Sequence, residues 1–218
     1  EAVKTRTAHE QFYIDELKAY IYFHRNQYDR AAQIYEKQLE SGQATPRQTA
    51  DKVRALTQIY ARQRNHDKTI EYGNRWIKLD PNNILPYELV GQAYFMLGRQ
   101  QASKGDAAAK KNFTLAAQTI QRAIAINEKA GRKPEQNWLN IQLNSYHALD
   151  NDKAVLTTRA KLVRYYPSQD NWRLLLTPYS RQLEDDRAKL NLYRLMLDLG
   201  ILDDPNDFVE MAQMMMDQ

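Results

Sequence analysis

Small and aromatic side chains recur at helical spacing in blocks along this chain, and each block closes on a turn signal. The first block sets Ala19, Tyr22, Tyr28, Ala31 and Tyr35 in the order small, aromatic, aromatic, small, aromatic. The second repeats it with Leu56, Tyr60, Trp76 and Pro81, and with His66, Thr69 and Gly73 as weaker substitutes. Helix-like runs end at Tyr60-Ala61-Arg62 and again at Asp80-Pro81-Asn82-Asn83, and the pattern restarts from Tyr87 to Gly98. The period is about thirty-four residues. A pair of helices can bury such a stripe only against neighbouring pairs, so the positions have to recur.

The third block opens with Tyr87, Val90, Gly91, Tyr94 and Gly98, but Phe113, Ala116, Ile120 and Ala123 follow about a dozen residues late. The stretch between, Arg99 to Asn112, is Ala/Lys-rich around Gly105-Asp106. It predicts two lengthened helices with the turn at Ser103-Lys104-Gly105-Asp106 and Asp106 as N-cap. It is either a tolerated surface insertion or a projecting basic finger that meets a partner.

Gly131-Arg132-Lys133-Pro134 closes that block, and Glu135-Gln136-Asn137-Trp138 opens the fourth, with Leu139, Leu143, Tyr146, Leu149, Val155 and Leu162 as core and Tyr166-Pro167 as stop. Asn171-Trp172 restarts the chain as Asn137-Trp138 did. The fifth pair is expected to bury Leu174 to Leu176, Tyr179, Ala188, Leu192 and Leu195, with Pro178 breaking a hydrogen bond and kinking its first helix. Asp204-Pro205-Asn206-Asp207 then caps a last helix whose Met-rich face can shield the end of the stack.

Helical hairpins ending in Asp-Pro at this period are the signature of a tetratricopeptide (TPR) array. The expected fold is all-α: one TPR right-handed superhelical solenoid over residues 1–218, of about five helical hairpins plus a capping helix at 205–216. Arrays of this kind are scaffolds whose curved face binds protein segments, so binding is the default function.

Composition narrows this further. Gly and Pro are scarce while Ala, Leu, Gln, Arg and Lys abound, as a helical chain requires. No apolar run is long enough to span a membrane. The net charge of +4 is too small to argue for nucleic acid. Its distribution is uneven: residues 98–173 hold 13 basic and 6 acidic side chains, and residues 181–218 hold 4 and 9. That is either a solvated surface or a match to a partner of complementary polarity. There is no cysteine, which suits cytoplasm and bacterial periplasm alike. The chain starts at Glu1 without a signal-peptide pattern and reads as a mature product or a trimmed one.

Catalytic chemistry has no foothold in the sequence. His9, His24, His66 and His147 are scattered without ligand spacing, and no phosphate-binding glycine loop or nucleophile elbow occurs. Glu184-Asp185-Asp186 lacks the spacing of a calcium loop. A non-enzyme without cofactor or metal is expected.

The first helix of each pair should line the groove, with its exposed positions three or four residues apart. That projection selects Tyr13, Glu16, Tyr20 and Phe23, then Arg54, Gln58 and Arg62, then Glu88, Gln92 and Phe95, then Asn140, Asn144 and His147. Arg and amide groups hold carbonyls and carboxylates of an extended peptide, and the aromatics anchor apolar side chains. Asn140 and Asn144 stand out because Asn is a poor helix former, although hydrogen bonds within the array would also account for them. A Lys/Asn carboxylate clamp of the chaperone-tail type is excluded, since Glu16 and Tyr20 occupy its first places.

From about residue 134 onward the motifs are narrower. Glu135, Asn137 and Trp138, then Leu162-Val163-Arg164-Tyr165-Tyr166-Pro167, Asn171-Trp172, Leu199-Gly200-Ile201-Leu202 and Met211-Ala212-Gln213 follow one another. In this the sequence resembles the periplasmic TPR proteins that accompany TonB–ExbB–ExbD energy-transduction systems. The resemblance implies a periplasmic, non-catalytic scaffold with TonB, ExbB or ExbD as partner. An assembly factor for envelope or outer-membrane complexes, or a regulatory TPR domain of a separate enzyme, in the cytoplasm or elsewhere, remain the alternatives.

Overall fold

The computed structural model describes residues 7–216, with the side chains of Arg181 and Gln182 left aside. Among the described residues the chain forms eleven helices and no strand: α1 Ala8–His24, α2 Tyr28–Glu40, α3 Pro46–Arg62, α4 His66–Leu79, α5 Ile84–Ala102, α6 Ala108–Lys129, α7 Gln136–Ala148, α8 Asp152–Tyr165, α9 Gln169–Gln182, α10 Asp186–Asp198 and α11 Pro205–Met216. They read as five hairpins and a last helix. The chain divides into two compact units, Glu1–Ile126 and Asn127–Gln218.

Local chemistry sets the ends of these helices. Thr7 and Thr45 form capping boxes with Glu10 and Gln48, in which hydroxyl and carboxyl or amide each satisfy a free backbone N–H. Asn65, Asn151, Ser168 and Asp185 cap α4, α8, α9 and α10 with their side chains. Three intra-hairpin turns share one geometry, with Asn26, Arg64 and Asp150 in the left-handed region at φ 58°, 57° and 54°. In each, the next residue donates its N–H back to a tyrosine carbonyl, of Tyr22, Tyr60 and Tyr146. The insertion behaves as its sequence predicts: α5 and α6 are long, the turn falls at 103–107, and Asp106 accepts from the Ala108 N–H at 2.8 Å.

The first unit buries the expected stripes. Ala19, Ala31, Leu56, Val90, Ala116, Ile120 and Ala123 are fully inside, with Tyr60 and Trp76 nearly so. Tyr22, Tyr28 and Tyr35 pack half-buried on the same core. Gly73 is no weak substitute. A Cβ there would meet Cγ2 of Val90 at 2.2 Å, so only glycine lets α4 lie this close to α5. Gly91 plays the same part for Ile120, at 2.6 Å.

In the second unit Trp138, Leu139, Val155 and Leu162 are buried as expected; the fifth pair keeps Leu175, Leu176 and Leu192 on its core as expected but is turned at its other expected positions. Its core is Leu176, Leu190, Tyr193 and Met196, closed by Ile201, Leu202 and Met211. Leu174, Tyr179, Ala188 and Leu195 face solvent instead. The turn follows from Tyr193, which is drawn inward with its phenol donating to Glu210 at 2.7 Å, and from Ile201 and Leu202, which fill the remaining space. α9 runs on through Pro178. Of the terminal methionines, Met211 and Met214 pack inward while Met215 and Met216 are exposed, so the shield at this end is partial.

Candidate protein-binding face

α1 carries apolar and aromatic residues on two of its sides, with Glu10, Gln11, Asp15, Glu16 and Lys18 among them, so its apolar surface is more than one core contact covers. One side does pack: Phe12 and Ala19 face the core. The opposite side carries Tyr13, Leu17, Tyr20 and Ile21 in water, at 48, 65, 59 and 46 % exposure. His9 meets Tyr13 edge-on at 4.8 Å and His24 lies 4.2 Å from Tyr20, so the stripe runs the length of the helix. Leu17 and Ile21 escape a reading built on tyrosines, although their spacing from Tyr13, four and eight residues on, was the available signal.

α3 follows with a polar face. Arg47, Asp51, Arg54, Gln58 and Arg62 fall on one side of that helix, all exposed or half-exposed. Arg54 is steadied by Asp51 at 3.7 Å and Asp80 at 3.6 Å, and its guanidinium lies 6.0 Å above the Trp76 ring. Arg62 donates to the Tyr28 hydroxyl at 2.5 Å and sits over the Phe23 and Tyr28 rings. α5 adds exposed Gln92 and Met96 beside a cavity of about 270 Å³ lined by Ala61, His66 and Leu89.

Several projected residues have partners inside the protein. Glu16 takes the buried Lys52 ammonium at 2.8 Å, an ion pair joining α1 to α3. Its charge, after burial, raises the Tyr35 phenol above its ordinary pKa. Phe23 packs on Tyr28, and Phe95 lies 5.9 Å from Phe113, with Arg99 over its ring. These bonds fix the helix faces. In the second unit Asn140, Asn144 and His147 are exposed along α7, and the His147 Nε2 lies 3.4 Å from an Arg159 guanidinium nitrogen.

The face of the first unit therefore joins an apolar aromatic strip to arginines and amides. It can seat bulky side chains at α1 and hold carboxylates or peptide carbonyls at α3 and α5. Among the described residues no group of His, Cys, Asp and Glu could hold a metal ion, and no helix is long and apolar enough to cross a membrane.

No protein-family model matches the chain, and no curated protein matches it. Solved structures do. A crystal structure of MamA protein aligns at TM-score 0.56 and 16 % identity, over 90 % of this chain and 99 % of that one. A second MamA structure aligns at 0.54 and 16 %, over 75 % and 84 %. The structure of Naa15/Naa10 bound to HypK-THB aligns at 0.52 and 12 %, over 89 % of this chain but 26 % of that one. The fold is a tetratricopeptide solenoid. Identities this low carry the fold and nothing finer.

Proposed function

We propose that the chain is a non-catalytic scaffold that holds a segment of a partner protein against the first-helix face of its first unit. The observation that carries this is the exposed Tyr13–Leu17–Tyr20 strip beside the arginine and amide face of α3. Side chains of that size left in water along about two helical turns mark a contact surface, because aromatic and arginine anchors dominate binding energy. The segment presents apolar or aromatic residues to α1 and carboxylates to Arg47, Arg54 and Arg62.

The resemblance from Asn137-Trp138 to Met211-Ala212-Gln213 supports the finer reading that this is the periplasmic TPR component of a TonB–ExbB–ExbD system, with one of those three proteins supplying the segment. Capture from a Gram-negative source cell tests both levels. Wild-type protein should retain a partner that the Leu17→Glu/Tyr20→Glu variant loses, identified by mass spectrometry. TonB, ExbB or ExbD in that place supports the finer reading, and another protein removes it. Identical capture by both forms removes the α1 face as the site.

A further inference from the structure

α7 leaves an unusual surface in water. Six of its 13 residues are buried, Trp138 and Leu139 among them. Those it exposes are Gln136, Asn137, Asn140, Asn144 and His147, all amides but for one imidazole. The helix contains no Asp, Glu, Lys or Arg, in a chain of which 27 % is charged. Glu135 and Asp150 stand just beyond its two ends, and at its last turn the His147 Nε2 meets an Arg159 guanidinium nitrogen at 3.4 Å. The surface between those ends is uncharged.

Asn137, Asn140, Asn144 and His147 fall on one side of the helix. Asparagine favours caps and turns over helix interiors, because its side chain competes for backbone groups. A tertiary hydrogen bond would offset that cost, yet the side chains of Asn140 and Asn144 bond no other described residue and stand exposed. Nothing inside the protein accounts for them.

The repeat register places them on the first-helix face. Tyr60 and Tyr146 anchor equivalent turns, and two residues before them stand Gln58 and Asn144. Gln92 precedes Tyr94 by the same interval, so an amide recurs at one place on α3, α5 and α7. Four residues earlier α3 and α5 carry the charges of Arg54 and Glu88, where α7 has Asn140. By the register of Asn137-Trp138 and Asn171-Trp172, Leu174 and Pro178 take the places of Asn140 and Asn144 on α9. Pro178 has no N–H for the carbonyl of exposed Leu174, so α9 sets a backbone acceptor without its ordinary donor at that place.

An uncharged surface of amides complements a ligand that carries donors and acceptors and no charge. A polypeptide main chain is such a ligand. Asn140 and Asn144 lie about 6 Å apart along the helix, four residues at about 1.5 Å each. In an extended chain, alternate residues turn their N–H and C=O to the same side at intervals of about 6.6–6.8 Å. Each primary amide can therefore accept the N–H and donate to the C=O of one such residue. A helical segment offers no such pairs, since its own turns use them.

We infer that α7 is a second binding surface, separate from the α1 face, on which Asn140 and Asn144 hold the main chain of an extended partner segment. Recognition there reads backbone spacing, and the side chains of the bound segment contribute less.

Random peptides displayed on phage and selected on the whole chain test this, with recovered sequences sorted by binding to Asn140→Ala/Asn144→Ala. A class of peptides should bind that variant about tenfold or more weakly than wild type. Within it, N-methylation of successive residues should alternate between loss of binding and tolerance. The class should survive Leu17→Glu/Tyr20→Glu, which reports on the α1 face alone. Alanine is the better helix former, so the double asparagine variant should melt higher than wild type, which separates a lost contact from a lost fold. Peptides that all bind the variant as tightly as wild type, or N-methyl effects without alternation, would overturn the inference. A lower melting point in the variant would overturn it too, by giving the asparagines a structural role.

Discussion

Glu36 on α2 accepts the phenol of Tyr72 on α4 at 3.1 Å, and the same carboxylate oxygen takes Tyr60 at 2.7 Å and Lys68 at 2.5 Å. The arrangement recurs in the second unit, where Glu128 takes Lys161 at 2.9 Å and Tyr165 at 3.0 Å, again from a Lys-x-x-x-Tyr turn on the next second helix. One carboxylate therefore clamps α2 to α4, and another clamps α6 to α8. Glu36→Ala leaves three donors without their acceptor and should cost about 1–3 kcal/mol, read from urea unfolding. A loss indistinguishable from zero would show that water replaces the carboxylate.

The clamps make stability depend on pH. Burial works to raise the Glu36 pKa, but hydrogen bonds from Lys68, Tyr60 and Tyr72 outweigh it, leaving the folded value below 4.5. At Glu210, bonds from Lys189 and Tyr193 do the same. A carboxyl with a depressed folded pKa stabilises above its unfolded value and loses that contribution as pH falls through the folded one. Urea midpoints should therefore fall from pH 5 toward pH 3, less steeply in Glu36→Gln. Tyr72 and Tyr193 are shifted the other way, first by burial, so their contribution is lost as pH rises beyond 10.0. Equal slopes for wild type and Glu36→Gln in acid would contradict the assignment.

Gly73→Ala drives a methyl group into Val90 and should destabilise by about 1–3 kcal/mol. Trimming the opposing side chain makes room, so Gly73→Ala/Val90→Ala should cost clearly less than the sum of the two single changes. Strict additivity would mean that α4 and α5 move apart instead.

Arg64 holds a left-handed conformation that glycine adopts freely. Arg64→Gly should therefore stabilise the protein by about 0.5–1 kcal/mol, seen as a raised thermal midpoint. A lower midpoint would assign the Arg64 side chain an unrecognised bond.

The repeats, the turns and the shifted hairpin at 99–112 were legible in the sequence, because spacing and caps act locally. The necessity of Gly73 was not, since it lies in Val90, a residue of another helix. Nothing in the local pattern marks Lys52 for burial, yet it is 2 % exposed between Glu16 and the Phe12 ring. The clamps were hidden for the same reason, their partners standing 32 to 37 residues apart. In the fifth pair, several alternative stripes of leucine fit a helical period equally well, and only the contact of Tyr193 with α11 selects one.

Leu17 and Tyr20 pay nothing into the core, so Leu17→Glu/Tyr20→Glu should leave stability within about 0.5 kcal/mol of wild type. Larger losses in urea unfolding would make the exposed strip a structural surface.

Site-specific photo-crosslinking in the source cell tests the binding face most directly, with the probe at Leu17, Gln58 or Gln92 and, as the comparison, at exposed Lys78 on α4. The expected result is one partner captured from the three first-helix positions and absent from Lys78. Capture of that partner from Lys78 alone, or equally from all four, would contradict a first-helix binding face.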